Sequence, residues 1–332
     1  MSLPGFPSKG GDRRERCLSE PLGEGLWVRT RIPLTPTRQA GIVLFVTFLT
    51  IYLITLASNG LIIAVVRTDS RLHSPMYYFL CNLSFLDIAF LSTNVTTCLN
   101  GFLYRPNIVP YSACVAQMYI GLTLGITQCI LLAVMAWDRY VAICKPLNYH
   151  SIVNKAVCIR LSVATILIGL LLSMVQVFPT DTVPFWGHNK IDHFICELAP
   201  VLHLACVDIR LQQLVILVVS VGVIIGPVLL ITFSYLPIFS TIMRTKASCR
   251  LKAFSTYGSH LTVVILFYGG IIVMNMFPKS IISTEDQKIF TLLYGLVTPV
   301  LNPLIYTLRN KEVKGAMKKL ISIRGTWQGS KS

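Results

Sequence analysis

The stretch "MAWDRYVAICKPLNY", Met135–Tyr149, decides how the chain is read. A long apolar run ends here on an acid followed at once by a base, Asp138 and Arg139, between Trp137 and Tyr140. Arginine is costly inside hydrocarbon, and its long stem lets the charged head reach an interface. The run upstream, residues 112–143, exceeds the roughly 18 residues that cross a bilayer core. The charge pair therefore marks the end of a membrane-spanning helix.

Six further apolar runs lie on either side, at 41–66, 75–99, 156–178, 211–243, 253–277 and 286–308. Of 332 residues, 54% are hydrophobic and 13% charged. Soluble domains carry about 25% charged residues, so this is a membrane composition. Backbone groups in lipid must be satisfied within each segment, so every run is expected to be a helix. The expected fold is an all-α membrane protein, a bundle of seven transmembrane helices. The second run is the weakest, because its far end, "STNVTTCLN", is polar.

The formal charge of +15 would suggest nucleic acid in a soluble protein. Here the basic residues lie mostly between the apolar runs, where membrane topology explains them, and no nucleic-acid partner is expected. The loops after runs one, three and five, with the C-terminal tail, hold 17 Lys and Arg, against five on the other side. That places the N-terminus outside and the C-terminus in the cytoplasm. Residues 1–40 oppose this with seven basic residues against four acids, but the remaining loops outweigh them. This segment is rich in Gly, Pro, Ser and Arg, has no signal-peptide core, and is expected to be extracellular and disordered. The division is thus 1–40 N-terminal segment, 41–308 helical domain and 309–332 cytoplasmic tail. In the tail, Val313, Met317 and Leu320 recur at helical spacing among lysines, as in a short amphipathic helix lying on membrane lipid.

Ten cysteines are scattered without metal-ligand spacing, and no metal or cofactor is expected. The long outer loop, 179–210, holds Cys196 and Cys206, and Cys114 at the outer end of run three is a plausible disulfide partner. Asp87 is the one carboxylate well inside a run, and Asn59, Gln128 and Asn302 are the other strongly polar residues at that depth. Such groups serve as interhelical hydrogen-bond glue or as a polar core that rearranges between two packings. Asn302-Pro303 favours rearrangement, since proline frees a carbonyl and weakens its helix. An arginine held by Asp138 or released to a partner likewise suits a switch. No protease pair, phosphate loop or intramembrane His cluster suggests an enzyme, and no internal repeat suggests a transporter.

Taken with "PMYYFLCNLSFLDI" (75–88), Ser234-Tyr235, "KAFSTYGSH" (252–260), "FYG" (267–269) and "PVLNPLIYTLRNKEV" (299–313), the opening stretch resembles the rhodopsin-like G-protein-coupled receptors. Within them it resembles the tetrapod-type (class II) odorant receptors, over about residues 41–320. The resemblance implies that Asp138, Arg139 and Tyr140 restrain the resting state and meet a G protein. It implies that Tyr235 and Tyr306 close on that arginine in the active state, and that Tyr268 is the switch aromatic of helix six. It pairs Cys114 with Cys196. It also implies coupling to a stimulatory, olfactory-type G protein that raises cyclic AMP, at the plasma membrane of sensory cilia; a non-odorant ligand in another tissue is the alternative.

Three departures stand out. Trp186 occupies the place of a loop cysteine, which leaves Cys206 expected to be unpaired. Gln128 stands where a glutamate is common, which weakens a sodium site at Asp87. The N-terminal sequon is missing, and the two N-x-S/T sites, at Asn82 and Asn94, fall inside run two, so little or no N-glycosylation is expected. Helical spacing outward of Arg139 points Met118, Leu122, Gly125 and Ile126 into the bundle. Val219 and Ser220 of run five, and Ile271, Ile272 and Asn275 of run six, complete an apolar pocket. Its polar handles are Tyr268, Asn275 and Ser220, and no Lys or Arg lies at that depth. This suits a small, neutral, volatile ligand.

Overall fold

A computed structural model describes residues 27–30, 38–103, 107–181, 190–191, 196, 198–202, 208–244, 258, 260–272, 295–296, 298–305 and 313–316. Helix α1 runs Arg38–Thr68, α2 Pro75–Leu103, α3 Tyr111–Cys144, α4 Lys155–Asp181 and α5 Arg210–Met243. All five are long and apolar enough to cross a membrane. Helix α6 is described over His260–Ile272, and α7 is helical at 295–296 and 298–305. These are the seven expected runs.

Helix α2 continues through the polar "STNVTTCLN" because those side chains turn back on their own helix. Thr93 Oγ1 donates to Ala89 O (2.9 Å), Asn94 Nδ2 to Phe90 O (3.0 Å) and Thr96 Oγ1 to Ser92 O (3.2 Å). Each bond gives a polar group a partner within its own helix.

Helix α3 is the axis of the bundle and packs against α2, α4 and α5, while α1 packs on α2. The main core gathers Phe79, Leu83, Leu131, Leu132, Met135 and Val264 around it. Small residues allow the closest approach. A side chain on Gly169 of α4 would meet the Thr127 hydroxyl and stand 2.9 Å from the Thr123 carbonyl of α3. Phe233, Leu236 and Phe239 of α5 point away from the bundle, as lipid-facing residues must. In the tail, residues 313–316 form a helical turn whose Val313 and Ala316 are buried against Ile62, Val65, Leu72 and Tyr77.

The N-terminal segment departs from expectation at one place. Trp27–Thr30 forms strand β1, antiparallel to β2 (Asn107–Pro110) and parallel to β3 (Lys190–Ile191). The sheet order is β2-β1-β3, so β1 is the central strand between the segment before α3 and the loop between α4 and α5. Its β-branched and aromatic residues suit a strand, and pairing on both sides supplies the partners its backbone needs. Met317, Leu320, Cys206 and Trp186 lie outside the described residues.

Candidate functional site

Three groups of residues carry the chemistry, stacked along α3. Nearest the Cys114–Cys196 disulfide (Cα–Cα 5.4 Å) is a cavity of about 440 Å³. Met118, Leu122, Gly125 and Ile126 of α3, Ser220 of α5 and Ile271 of α6 are in its wall. Val219 and Ile272 are not. On α5 the wall repeats as Ile216, Ser220, Val223 and Ile224, and Val219 stands one helical step to the side of that stripe. Ile272 is 39% exposed on the outer face of α6. Asn275 lies outside the described residues. Side chains added at Gly121, Gly125 and Gly295 would meet nothing within 4 Å, so at these points the wall is bare backbone.

Gln117, which sequence spacing did not single out, braces the mouth of the cavity. Its Nε2 donates to Thr93 O (3.1 Å), and its Oε1 accepts from Thr97 Oγ1 (3.3 Å) and from the Cys196 backbone N–H (3.5 Å). One amide thus joins α2, α3 and the disulfide loop.

The cavity reaches the polar core, with Asp87 and Gln128 in its wall. Gln128 Nε2 donates to Asp87 Oδ1 (3.0 Å) and Asn302 Nδ2 to Asp87 Oδ2 (2.9 Å). Asn59 Nδ2 donates to Pro299 O (3.0 Å) and Thr55 O (3.1 Å). All four residues are buried. A buried carboxylate needs hydrogen-bond donors, and two amides supply them here. Gln128 fills the place where a second carboxylate would be with a donor to Asp87. Tyr268 of α6, expected as a polar handle of the pocket, is not in the cavity wall; its hydroxyl is spent on Cys129 O of α3 (2.8 Å).

At the far end of α3, Arg139 Nη2 lies 3.1 Å from Asp138 Oδ2, a charge contact without hydrogen-bond alignment. The other oxygen, Asp138 Oδ1, accepts from the Tyr149 hydroxyl (2.8 Å). Burial, and the Asp138 carboxylate beside it, hold the Tyr149 phenol above its ordinary range, so it stays protonated and donating. Tyr149 lies in the helical turn Tyr149–Ile152, after the η-turn Pro146–Asn148. Tyr140 is half-buried beside the pair. The hydroxyl of Tyr235 of α5 shares a 2.6 Å hydrogen bond with His260 Nδ1 of α6, the two rings parallel within 2°. His260 in turn lies within electrostatic reach of Arg139. Tyr306 lies outside the described residues.

The sequence pattern of the olfactory receptor family matches residues 48–324. The chain belongs to the olfactory receptor family. It is 49% identical over 281 residues to the human Olfactory receptor 2K2, which covers 84% of this receptor and 89% of that one. It is 47% identical to the human Olfactory receptor 2G3 over 84% and 91% of the two chains. It is 41% identical to the Olfactory receptor-like protein OLF3 of the dog, over 90% and 95%. The receptor's fold matches squid rhodopsin with a TM-score of 0.66 at 16% identity, over 88% and 87% of the two chains. Family membership makes it a multi-pass membrane receptor that signals through a small ligand and a G protein, and not an enzyme.

Proposed function

We propose that this receptor binds a small, mostly apolar, neutral odorant in the 440 Å³ cavity and activates a stimulatory, olfactory-type G protein that raises cyclic AMP. The cavity wall carries the first half. Among the described residues it is built largely of aliphatic and aromatic residues and includes no Lys, Arg or His to neutralise an anion. Burial at about 25 cal/mol per Å² and one or two hydrogen bonds then hold the ligand. The distribution of basic residues supports a ligand end outside the cell and a G-protein end in the cytoplasm, with the receptor at the plasma membrane.

Agonist must bind the active packing better than the resting one. In the active packing Arg139 leaves Asp138, and the cytoplasmic ends of α5 and α6, here tied by Tyr235 and His260, move apart from α3 to admit the G protein. Asp87 and Gln128, bonded to each other in the cavity wall, Asn302 of α7, which bonds Asp87, and Tyr268, which bonds α6 to α3, transmit the change.

A cyclic-AMP reporter screen in cells, with neutral odorants and short carboxylic acids side by side, tests this. Neutral compounds are expected to activate, Arg139→Ala to abolish the signal at unchanged surface expression, and Gly125→Leu, which fills bare cavity space, to abolish the response to ligand. Activation by carboxylic acids with neutral compounds silent would sink the ligand reading.

A further inference from the structure

The cavity does not end at the wall formed by α3, α5 and α6. It extends sideways to Phe90, Asn94 and Cys98 of α2 and to Gly295, Leu296 and Thr298 of α7. We propose that this second arm seats a ligand hydroxyl between Asn94 and Thr298, so that the preferred ligands are small aliphatic primary alcohols. The proposal rests on the neutral-ligand reading above and names the chemical class within it.

Register places the two residues together. The hydrogen bond from Asn302 to Asp87 fixes α7 against α2. Asn94 lies seven residues beyond Asp87, two turns on the same face and about 10.5 Å nearer the disulfide end. Thr298 lies four residues before Asn302, one turn and about 6 Å in the same direction. The two residues therefore differ in height by about 4.5 Å, less than one helical turn, and both are in the wall of the same arm.

Both residues have polar capacity to spare. Helical hydroxyls in this bundle return to their own backbone: Thr93, Thr127, Thr165, Ser173 and Ser234 each donate to a carbonyl three or four residues back. No hydrogen bond of the described residues uses the Thr298 hydroxyl. Asn94 spends its Nδ2 on Phe90 O and leaves Oδ1 as an acceptor. Asp87 and Gln128 also reach the cavity but are bonded to each other, and Asp87 to Asn302, so among the described residues the uncommitted groups of the arm are one acceptor and one hydroxyl. A ligand alcohol donates to the first and accepts from the second. An aldehyde, ketone or ether only accepts, and would leave Asn94 Oδ1 desolvated without a partner. Ser220, also without a back-bond, stands among Ile216, Val223 and Ile224 on the opposite side and gives a ligand one group instead of two. The apolar wall between the two sides takes the alkyl chain.

The test uses the full-length receptor in the cyclic-AMP reporter assay. Its probes are primary alkanols of six to ten carbons, the matching aldehydes and methyl ethers, and short carboxylic acids. Surface expression is read from an N-terminal epitope tag. Alkanols are expected to be the most potent class. Thr298→Val and Asn94→Leu should each raise the alkanol half-maximal concentration about tenfold or more, and change the methyl-ether response little. Thr298→Ser, which keeps the hydroxyl, should respond like wild type, which separates loss of the bond from loss of the fold. Three outcomes overturn the proposal: alkanol potency indifferent to both substitutions, potency lost in Ser220→Ala instead, or aldehydes and ethers active with alkanols silent. In each, the neutral-ligand reading survives. Silence of every neutral probe, or activation by the acids alone, removes both.

Discussion

Asp87 shows how much a single buried group asks of its neighbours. Its two oxygens accept from two amides on two other helices, so the carboxylate ties α2 to α3 and α7. Asp87→Asn is expected to keep near-normal surface expression. The Gln128 amide can turn to present its oxygen to the new NH2, while the remaining Asn oxygen still accepts from Asn302. Asp87→Leu leaves two buried donors unmade, at about 1–3 kcal/mol each, and surface expression should fall severalfold. Flow cytometry of a tagged receptor distinguishes the two. At the other end of α3, Tyr149→Phe removes the bond that orients Asp138, so ligand-independent cyclic AMP should rise. Because the phenol is held above its ordinary range of about 10, its bond is present at all lower pH and is lost only as pH rises past that raised value. Basal signalling of the wild type is therefore expected to owe no pH dependence to Tyr149 between cytoplasmic pH 6 and 9. The polar core was readable from sequence because carboxylates and amides are scarce in membrane helices. Tyr149 and Gln117 were not: one is a loop tyrosine and the other a glutamine near a helix end, and only tertiary placement gives either a partner.

At the level of elements, the seven helices were legible because hydrocarbon leaves the backbone no alternative. What hydropathy did not reveal was which faces meet. Gly169 is the clearest case. In sequence it is one glycine in "ILIGLLL", but it allows α4 to lie against the Thr123–Thr127 turn of α3. Gly169→Val forces a branched side chain into that contact, and overpacking of this kind costs about 1–3 kcal/mol. Gly222 of α5 is the control, since a Cβ there meets nothing within 4 Å. Gly222→Ala should match or slightly exceed the wild type, because alanine is favoured over glycine in a helix by about 1 kcal/mol. Thermal unfolding of detergent-solubilised receptor should show Gly169→Val several degrees below both. The α2–α7 arm of the cavity was missed for a related reason. Spacing counted outward from Arg139 maps one face of α3 and says nothing about the wall that α2 and α7 supply.

Over the whole molecule, the feature least legible in sequence is the sheet at the disulfide end. Strand β1 lies outside the part of the chain that matches the family pattern, 48–324, yet both of its partners lie within it. A four-residue strand in a Gly-, Pro- and Arg-rich segment gives no periodic signal, because its order comes from the strands beside it. Its position has mechanical consequences. Strand β2 runs straight into Tyr111, the first residue of α3, and β3 belongs to the loop that Cys196 ties to the same helix. The sheet and the disulfide thus fasten the segment before α3 and the loop between α4 and α5 twice. The register makes this testable, since Val28 is opposite Val109. Opposed residues of antiparallel strands have Cα atoms about 4.5–5.5 Å apart, within the span a disulfide bridges. Val28→Cys with Val109→Cys should cross-link in oxidising conditions, read as linked tryptic peptides by mass spectrometry. Val28→Cys with Ile108→Cys should link far less, because successive strand residues face opposite sides. Equal linking of the two pairs, or of neither in receptor that reaches the surface, would detach residues 27–30 from these two segments and leave Cys114–Cys196 as the tie between them.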